Sequence, residues 1–125
     1  GEQNSLTIPS KIKANTLYLS GDWKINDEFA ENSSKHASIV YQYNAKDVFF
    51  VAEADSPVTV EVLLDGKPVG GEARADVITT SDGKTVLKIK DAGLYKIIQS
   101  NQSGIHTLEL KILSPGLKAF TFTFG

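Results

Sequence analysis

The chain has 125 residues, of which 41% are apolar and 22% charged, with a net charge of -2 and no cysteine. That length suits one domain burying roughly two-thirds of its unfolded-chain surface, and the near-neutral charge argues against a nucleic-acid partner or a disordered tail. Without cysteine there can be no disulfide, thiolate nucleophile, CxxC redox pair or Cys-ligated zinc, and the composition fits oxidising and reducing compartments alike. No apolar run approaches the roughly 20 residues of a membrane span, and the first ten residues lack the charged and apolar regions of a signal peptide, so a soluble chain without membrane insertion is expected.

Residues 1–15 are polar, with Pro9 and a short Lys11-Ile12-Lys13 alternation, and read as a linker or edge segment. The domain is expected over residues 16–125. Two short extended pieces, Leu17 to Leu19 and Trp23 to Ile25, flank a Ser20-Gly21-Asp22 turn, and residues 27–35 read as irregular. Residues 36–43 alternate, with Ala37, Ile39, Tyr41 and Tyr43 on one side. The next run contains Val48-Phe49-Phe50-Val51-Ala52, apolar on both faces, as a central strand under a second layer would be.

Val58, Val60, Val62 and Leu64 alternate up to Asp65-Gly66, a strong hairpin signal. A loop with Pro68, Gly70 and Gly71 leads to a short strand near residues 76–80 and an Asp82-Gly83 turn, after which Leu87 and Ile89 point inward. Asp91-Ala92-Gly93-Leu94-Tyr95 has the form of a tyrosine corner, its hydroxyl returning to nearby backbone. His106, Leu108, Leu110 and Ile112 share one face of a late strand. Ser114-Pro115-Gly116 breaks it, and Phe120, Phe122 and Phe124 then line one face of the last strand. These two strands read as a closing hairpin, with the phenylalanines placed on the core. Eight or nine short strands without an amphipathic helix give an all-β, two-sheet antiparallel sandwich, jelly-roll-like. The alternative is an immunoglobulin-like sandwich, favoured by Tyr95 but opposed by Ile97, which stands where the second disulfide cysteine would be.

The residues offer little catalytic chemistry. His36 and His106 lie seventy positions apart, and no G-x-S-x-G, H-E-x-x-H or phosphate-binding glycine loop occurs. His106 shares the register of core leucines and reads as structural, and His36 as a surface residue. Asp22, Asp27 and Glu28 could act as paired glycosidase acids only across a cleft, and turn capping explains them better. They lack the regular spacing of a calcium loop, so structural calcium is possible but not indicated, and no catalytic residue, metal ligand or cofactor is assigned. Aromatics are the one class that bears on a ligand, because flat amphipathic rings stack on sugars. Trp23, with Asp22 and Tyr43, is therefore the candidate ligand-binding set, although tryptophan and tyrosine on sandwich strands mostly serve the core. Asn32-Ser33-Ser34 and Asn101-Gln102-Ser103 are N-glycosylation sequons, relevant only in a glycosylating host.

Taken in order, LSGDWKI, VTVEVLLDGKPVG, ADVITT, AGLYKII and the closing HTLELKILSPGLKAFTFTFG resemble the C-terminal module of DipZ-type thioredoxin-like, cytochrome c biogenesis proteins. The resemblance covers residues 16–125, and it is the order of the pieces that carries it. Proteins of that family look like three-part assemblies: a membrane electron-conducting domain, an exported thioredoxin-like domain carrying CxxC, and a C-terminal sandwich similar to carbohydrate-binding modules. This chain would be the third part. It lacks the CxxC and the Pro- and Tyr-containing linker of the family pattern, so its motif residues transfer as fold markers only.

The resemblance implies a non-catalytic accessory domain on the extracytoplasmic side of a bacterial membrane, with the thioredoxin-like domain of the parent protein as partner. The alternative is a binding module for cell-envelope carbohydrate. A binding module should expose a ring beside convergent polar groups, whereas a docking domain should bury its rings and expose an apolar patch. A small hydrolase is a third, weaker reading, since it needs two carboxylates or a histidine pair in a cleft.

Overall fold

The computed structural model describes residues 1–125 as ten strands and no helix: β1 (Glu2–Leu6), β2 (Leu17–Ile25), β3 (Ala30–Asn32), β4 (Ala37–Ala54), β5 (Val58–Leu64), β6 (Lys67–Pro68), β7 (Ile78–Thr79), β8 (Thr85–Ile89), β9 (Gly93–Ile112) and β10 (Leu117–Phe124). Every strand pairing is antiparallel, and the main path runs β1-β2-β3-β10-β4-β9-β5-β8-β7. This continuous hydrogen-bonded path folds over itself into two layers, a jelly-roll-like sandwich. The first layer holds β7, β8, β5, residues 104–112 of β9, residues 37–45 of β4 and the start of β2. The second holds residues 93–99 of β9, residues 47–54 of β4, β10, β3, the end of β2 and β1.

Three strands therefore pass from one layer to the other. Along β4 the inward residues are Ala37, Ile39, Tyr41, Tyr43 and Ala45 before the passage, then Val48, Phe50, Ala52 and Ala54 after it. One extra residue inserted between Ala45 and Asp47 changes the parity, because strand side chains alternate with a period of two. Gly125 closes this bulge. The Gly125 carbonyl accepts the Lys46 and Asp47 amides at 3.0 and 3.1 Å, and its own amide donates to the Asp47 carbonyl at 3.0 Å. On β9 the compensating register shift lies between the partners of Val48 and Phe49, and it leaves the consecutive Ile97 and Ile98 both buried.

On β2 the passage falls at Gly21, whose φ is +91°. A Cβ there would meet the Ala37 Cα at 2.9 Å. The expected turn at Ser20-Gly21-Asp22 is thus corrected to a kink inside one continuous strand. The segment expected to be irregular contains β3, held by the buried Asn32. Its side-chain amide donates to the Ser34 and Ser114 carbonyls at 3.0 and 2.9 Å, while its oxygen accepts the Leu117 amide at 2.7 Å.

The closing hairpin is a second correction. β9 and β10 do not pair with each other; each flanks β4 on a different side. Ser114-Pro115-Gly116 instead carries the chain past Asn32 into the second layer, and the alternation on both sides of the break could not distinguish these routes. Other local signals correspond to the structure. Asp65 and Gly66 take φ of 54° and 80° at the β5–β6 hairpin, and the Tyr95 hydroxyl donates to the Asp91 carbonyl at 2.7 Å while accepting the Lys90 amide at 3.2 Å. Residues 2–6 supply the edge strand β1. Residues 70–77 cover the free edge of β9, with Arg74 N–H donating to the Ile97 carbonyl at 2.9 Å and Gln99 N–H to the Glu72 carbonyl at 2.7 Å.

The core is aliphatic at its centre, with Val60, Val62, Leu87, Ile89, Leu108, Leu110 and Ile112 fully buried between the layers. The passage of β2 has a measurable consequence. Gly66→Ala, at a positive φ with open space around it, should cost about 1 kcal/mol from backbone strain alone. Gly21→Ala adds a backbone clash and should cost more than about 2 kcal/mol in urea unfolding. Equal losses at the two sites would contradict the kink.

Candidate functional site

Trp23, Asp22 and Tyr43 do not converge. Trp23 and Asp22 are neighbours on one strand, so their side chains leave on opposite faces. Trp23 is 0% exposed, with its indole N–H donating to the Ser20 carbonyl at 2.8 Å. It has no face to offer a sugar, which corrects the expectation of a stacking platform. Asp22 is half-buried and pins the edge strand, its carboxylate accepting the Ser5 amide at 2.7 Å. Tyr43 faces inward from the other layer at 2% exposure, packed between Phe124 and His106 at 5.7 and 6.0 Å.

Two other features stand out. The first is an aromatic seam between the layers. On one side lie Leu17 and Leu19 of β2 with Ile39 and Tyr41 of β4; on the other lie Ala119, Phe120 and Phe122 of β10 with Phe50. Its inner part holds a cavity of about 40 Å³ lined by eight hydrophobic residues and Thr121. Its mouth is a wider space of about 190 Å³ lined by Leu17, Tyr41, Phe120, Thr121, Phe122 and Phe124. Phe122 stacks on Phe50 at 4.8 Å, and Phe124 on Tyr41 at 5.2 Å. The phenylalanines of β10 thus line an opening more than they fill the interior. Leu17 and Phe124 remain 47% and 36% exposed. The alternation of β10 did signal a shared aromatic face, but not that the strand lies opposite the start of β2.

The second feature is a polar cluster beyond the same aromatic row. His106 Nδ1 and Asp65 Oδ2 are 2.6 Å apart, and Asp65 Oδ1 accepts the Thr107 amide at 2.8 Å. Burial raises the Asp65 pKa, but the hydrogen bonds from Thr107 and His106 and the imidazole charge outweigh it, so the carboxyl is held below its usual value. The pair fastens the β5–β6 hairpin to β9 and leaves Asp65 as an acceptor. The Tyr43 hydroxyl nearby is buried with no hydrogen-bond partner in the protein. Burial first, then the charges of Asp65 and Glu72, push its pKa up to about 12, so it stays protonated. His36 is exposed at the turn before β4 with φ of 63°. No three His, Cys, Asp or Glu side chains gather closely enough to hold a metal ion.

The sequons fare differently from each other: Asn32 is 1% exposed with its amide fully engaged, while Asn101 is exposed on β9.

Both ionisable groups yield expectations. The folded Tyr43 holds its proton more tightly than the unfolded chain, so stability should fall as pH rises from about 10 toward about 12. Tyr43→Phe should flatten that fall in pH-dependent urea unfolding and be neutral or stabilising by up to about 1 kcal/mol at pH 7, because it removes an unpaired buried hydroxyl. Asp65 carries the opposite sign. Its stabilisation should be present above about pH 4 and fade as the pH falls below that value, and Asp65→Asn should lose this acid limb.

Comparison with known proteins adds the family. The chain is 28% identical over 117 residues to Protein DipZ of Mycobacterium bovis and to Protein DipZ of Mycobacterium tuberculosis, a match covering 94% of this chain and 14% of theirs. It therefore spans about one-seventh of the length of these curated relatives, in keeping with one module of a longer protein. Among solved structures, a family two carbohydrate esterase from Cellvibrio japonicus superposes with a TM-score of 0.70 at 14% identity, over 86% of this chain and 30% of that one. A family two carbohydrate esterase from Clostridium thermocellum in complex with cellohexaose gives 0.63 at 11% identity, over 82% and 29%. At such identities the likeness concerns the fold, an all-β sandwich set within larger enzymes. No helix is long and apolar enough to cross a membrane. The family model described as "Thioredoxin like C-terminal domain" matches residues 1–125, and the chain belongs to that family.

Proposed function

We propose that the chain is a non-catalytic accessory domain of an exported thioredoxin-like thiol:disulfide oxidoreductase, which positions or docks the redox domain on the extracytoplasmic side of the membrane. One observation carries this reading: a domain of a thioredoxin-like family, matched over its whole length, contains no cysteine. Thiol–disulfide exchange needs a thiolate to attack and a sulfur to leave, so the parent's exchange chemistry must reside elsewhere in its chain. What this domain can contribute is geometry. Its rings are largely turned inward, and its exposed apolar groups include the mouth of the seam, as suits a surface covered by another part of a protein.

A second reading, a module for cell-envelope carbohydrate, is supported by the fold shared with an esterase that holds cellohexaose. The polar notch formed by Glu72, Gln99, Ser100 and Asn101, about 350 Å³, would offer acceptors and donors to such a ligand without a stacking ring. Aromatic stacking supplies much of the adhesion of flat amphipathic surfaces, so the absence of a ring among the residues lining this notch favours the first reading.

Deleting these residues from the full-length parent should leave its reduction of a small-molecule disulfide unchanged within about twofold. It should lower kcat/KM toward a protein disulfide by about tenfold, equivalent to about 1.4 kcal/mol. Loss of both activities would place the domain in the catalytic machinery and overturn the reading. An amide-shift titration of the chain with peptidoglycan and cell-wall oligosaccharides should show no concerted movement at millimolar ligand, and a moving patch around Glu72 and Asn101 would bring the second reading forward.

A further inference from the structure

We propose that the mouth of the interlayer seam, rimmed by Leu17, Tyr41, Phe120 and Phe124, is the docking surface for an apolar segment of the same parent polypeptide; this rests on the accessory reading above. The other large exposed hydrophobic residues, Ile25, Ile78, Leu94, Ile105 and Leu113, take no part in lining it. Leu17 and Phe124 differ in sharing a rim whose lining continues inward through Phe120 and Phe122 to Ile39 and Phe50. The hydroxyls of Thr121 and Tyr41 are the polar side-chain groups of the mouth and no charged residue lines it, so a ligand recognised through hydroxyls or charge would find few partners there. An inserted leucine or phenylalanine would meet aromatic and aliphatic surface on both sides.

The size of the opening selects the occupant. A space of about 190 Å³ admits one or two side chains and lacks the extent of a self-standing interface. A stable dimer buries about 800 Å² on each partner, far more than four rim residues present. A segment of the same polypeptide needs less contact, because tethering supplies an effective concentration in the millimolar range for short linkers. Most of such a polypeptide lies outside this domain, since the chain accounts for 14% of its curated relatives. A small tethered contact therefore fits the opening better than association with a second copy.

The test uses the intact parent protein carrying a photoreactive benzoylphenylalanine at position 17, 124 or 105, with cross-linked peptides mapped by mass spectrometry. Ile105 is 67% exposed and stands on the outer face of the first layer, where it serves as the control. Positions 17 and 124 should cross-link to apolar peptides of the same chain outside this domain, at least about tenfold above position 105. Leu17→Ser should cut the yield from position 124 by a similar factor. Because Leu17 is half-exposed, that change leaves the buried core intact.

If only position 105 reaches the thioredoxin-like domain, docking stands and the seam is the wrong surface. Equal yields from all three positions would also remove the assignment. If no position reaches the rest of the parent, both the surface and the docking reading fall. Cross-links between isotopically distinct copies would identify a second chain as the occupant and overturn the proposal.

Discussion

The passage of β2, β4 and β9 between the two layers is the constraint on which the rest of the structure depends. A strand that changes layer must also change which of its alternating side chains face inward, and a one-residue slip would turn its apolar set to water. β4 meets this requirement with an inserted residue, β9 with a register shift and β2 with a glycine in a conformation that other residues adopt only under strain. The bulge on β4 is secured by the Gly125 backbone, so the residue that follows β10 is tied to the middle of the longest internal pairing. The reward is a single apolar core, shared by both layers and packed with branched aliphatic side chains.

The same passages determine the surface. Once β2 has crossed at Gly21, its first residues belong to the opposite layer from its last ones, and Leu17 and Leu19 face β10 across a gap. With the middle of the core already filled, the aromatic rings of β10 gather at this gap. At the far end of the ring series Tyr43 meets His106, and the Asp65 contact closes the adjacent hairpin. Apolar opening and polar closure are thus successive stretches of one inner face.

Much of the architecture was legible because alternation and turn chemistry are local. β5 and its Asp65-Gly66 turn, β8 and the Tyr95 corner follow from residues close in sequence. The routing was not legible in the same way. HTLELKIL and LKAFTFTF are consecutive and separated by Ser-Pro-Gly, as a hairpin would be, yet they flank β4 from either side. Asn32 decides this through hydrogen bonds to residues more than eighty positions away, and no local pattern encodes such a partner.

The candidate site shows the same division. The sequence singled out Trp23 for its chemistry, but burial is a property of the folded sheet, and alternation on β2 sends it inward. The seam needs two strands nearly a hundred residues apart to face one another, so its residues could be recognised as apolar without being recognised as neighbours.

The position of β10 also bears on how the domain comes to be folded. It inserts between β3 and β4, in the interior of the second layer, although it is the last of the ten strands in sequence order. Until those residues emerge, β4 lacks one lateral partner along residues 48–54 and the bulge lacks its closure. Vectorial synthesis consequently cannot build this sandwich from its first strand onward. Assembly awaits the last strand of the domain, and the predominance of distant pairings puts the reaction on the slow side for a domain of this size, from about milliseconds to seconds.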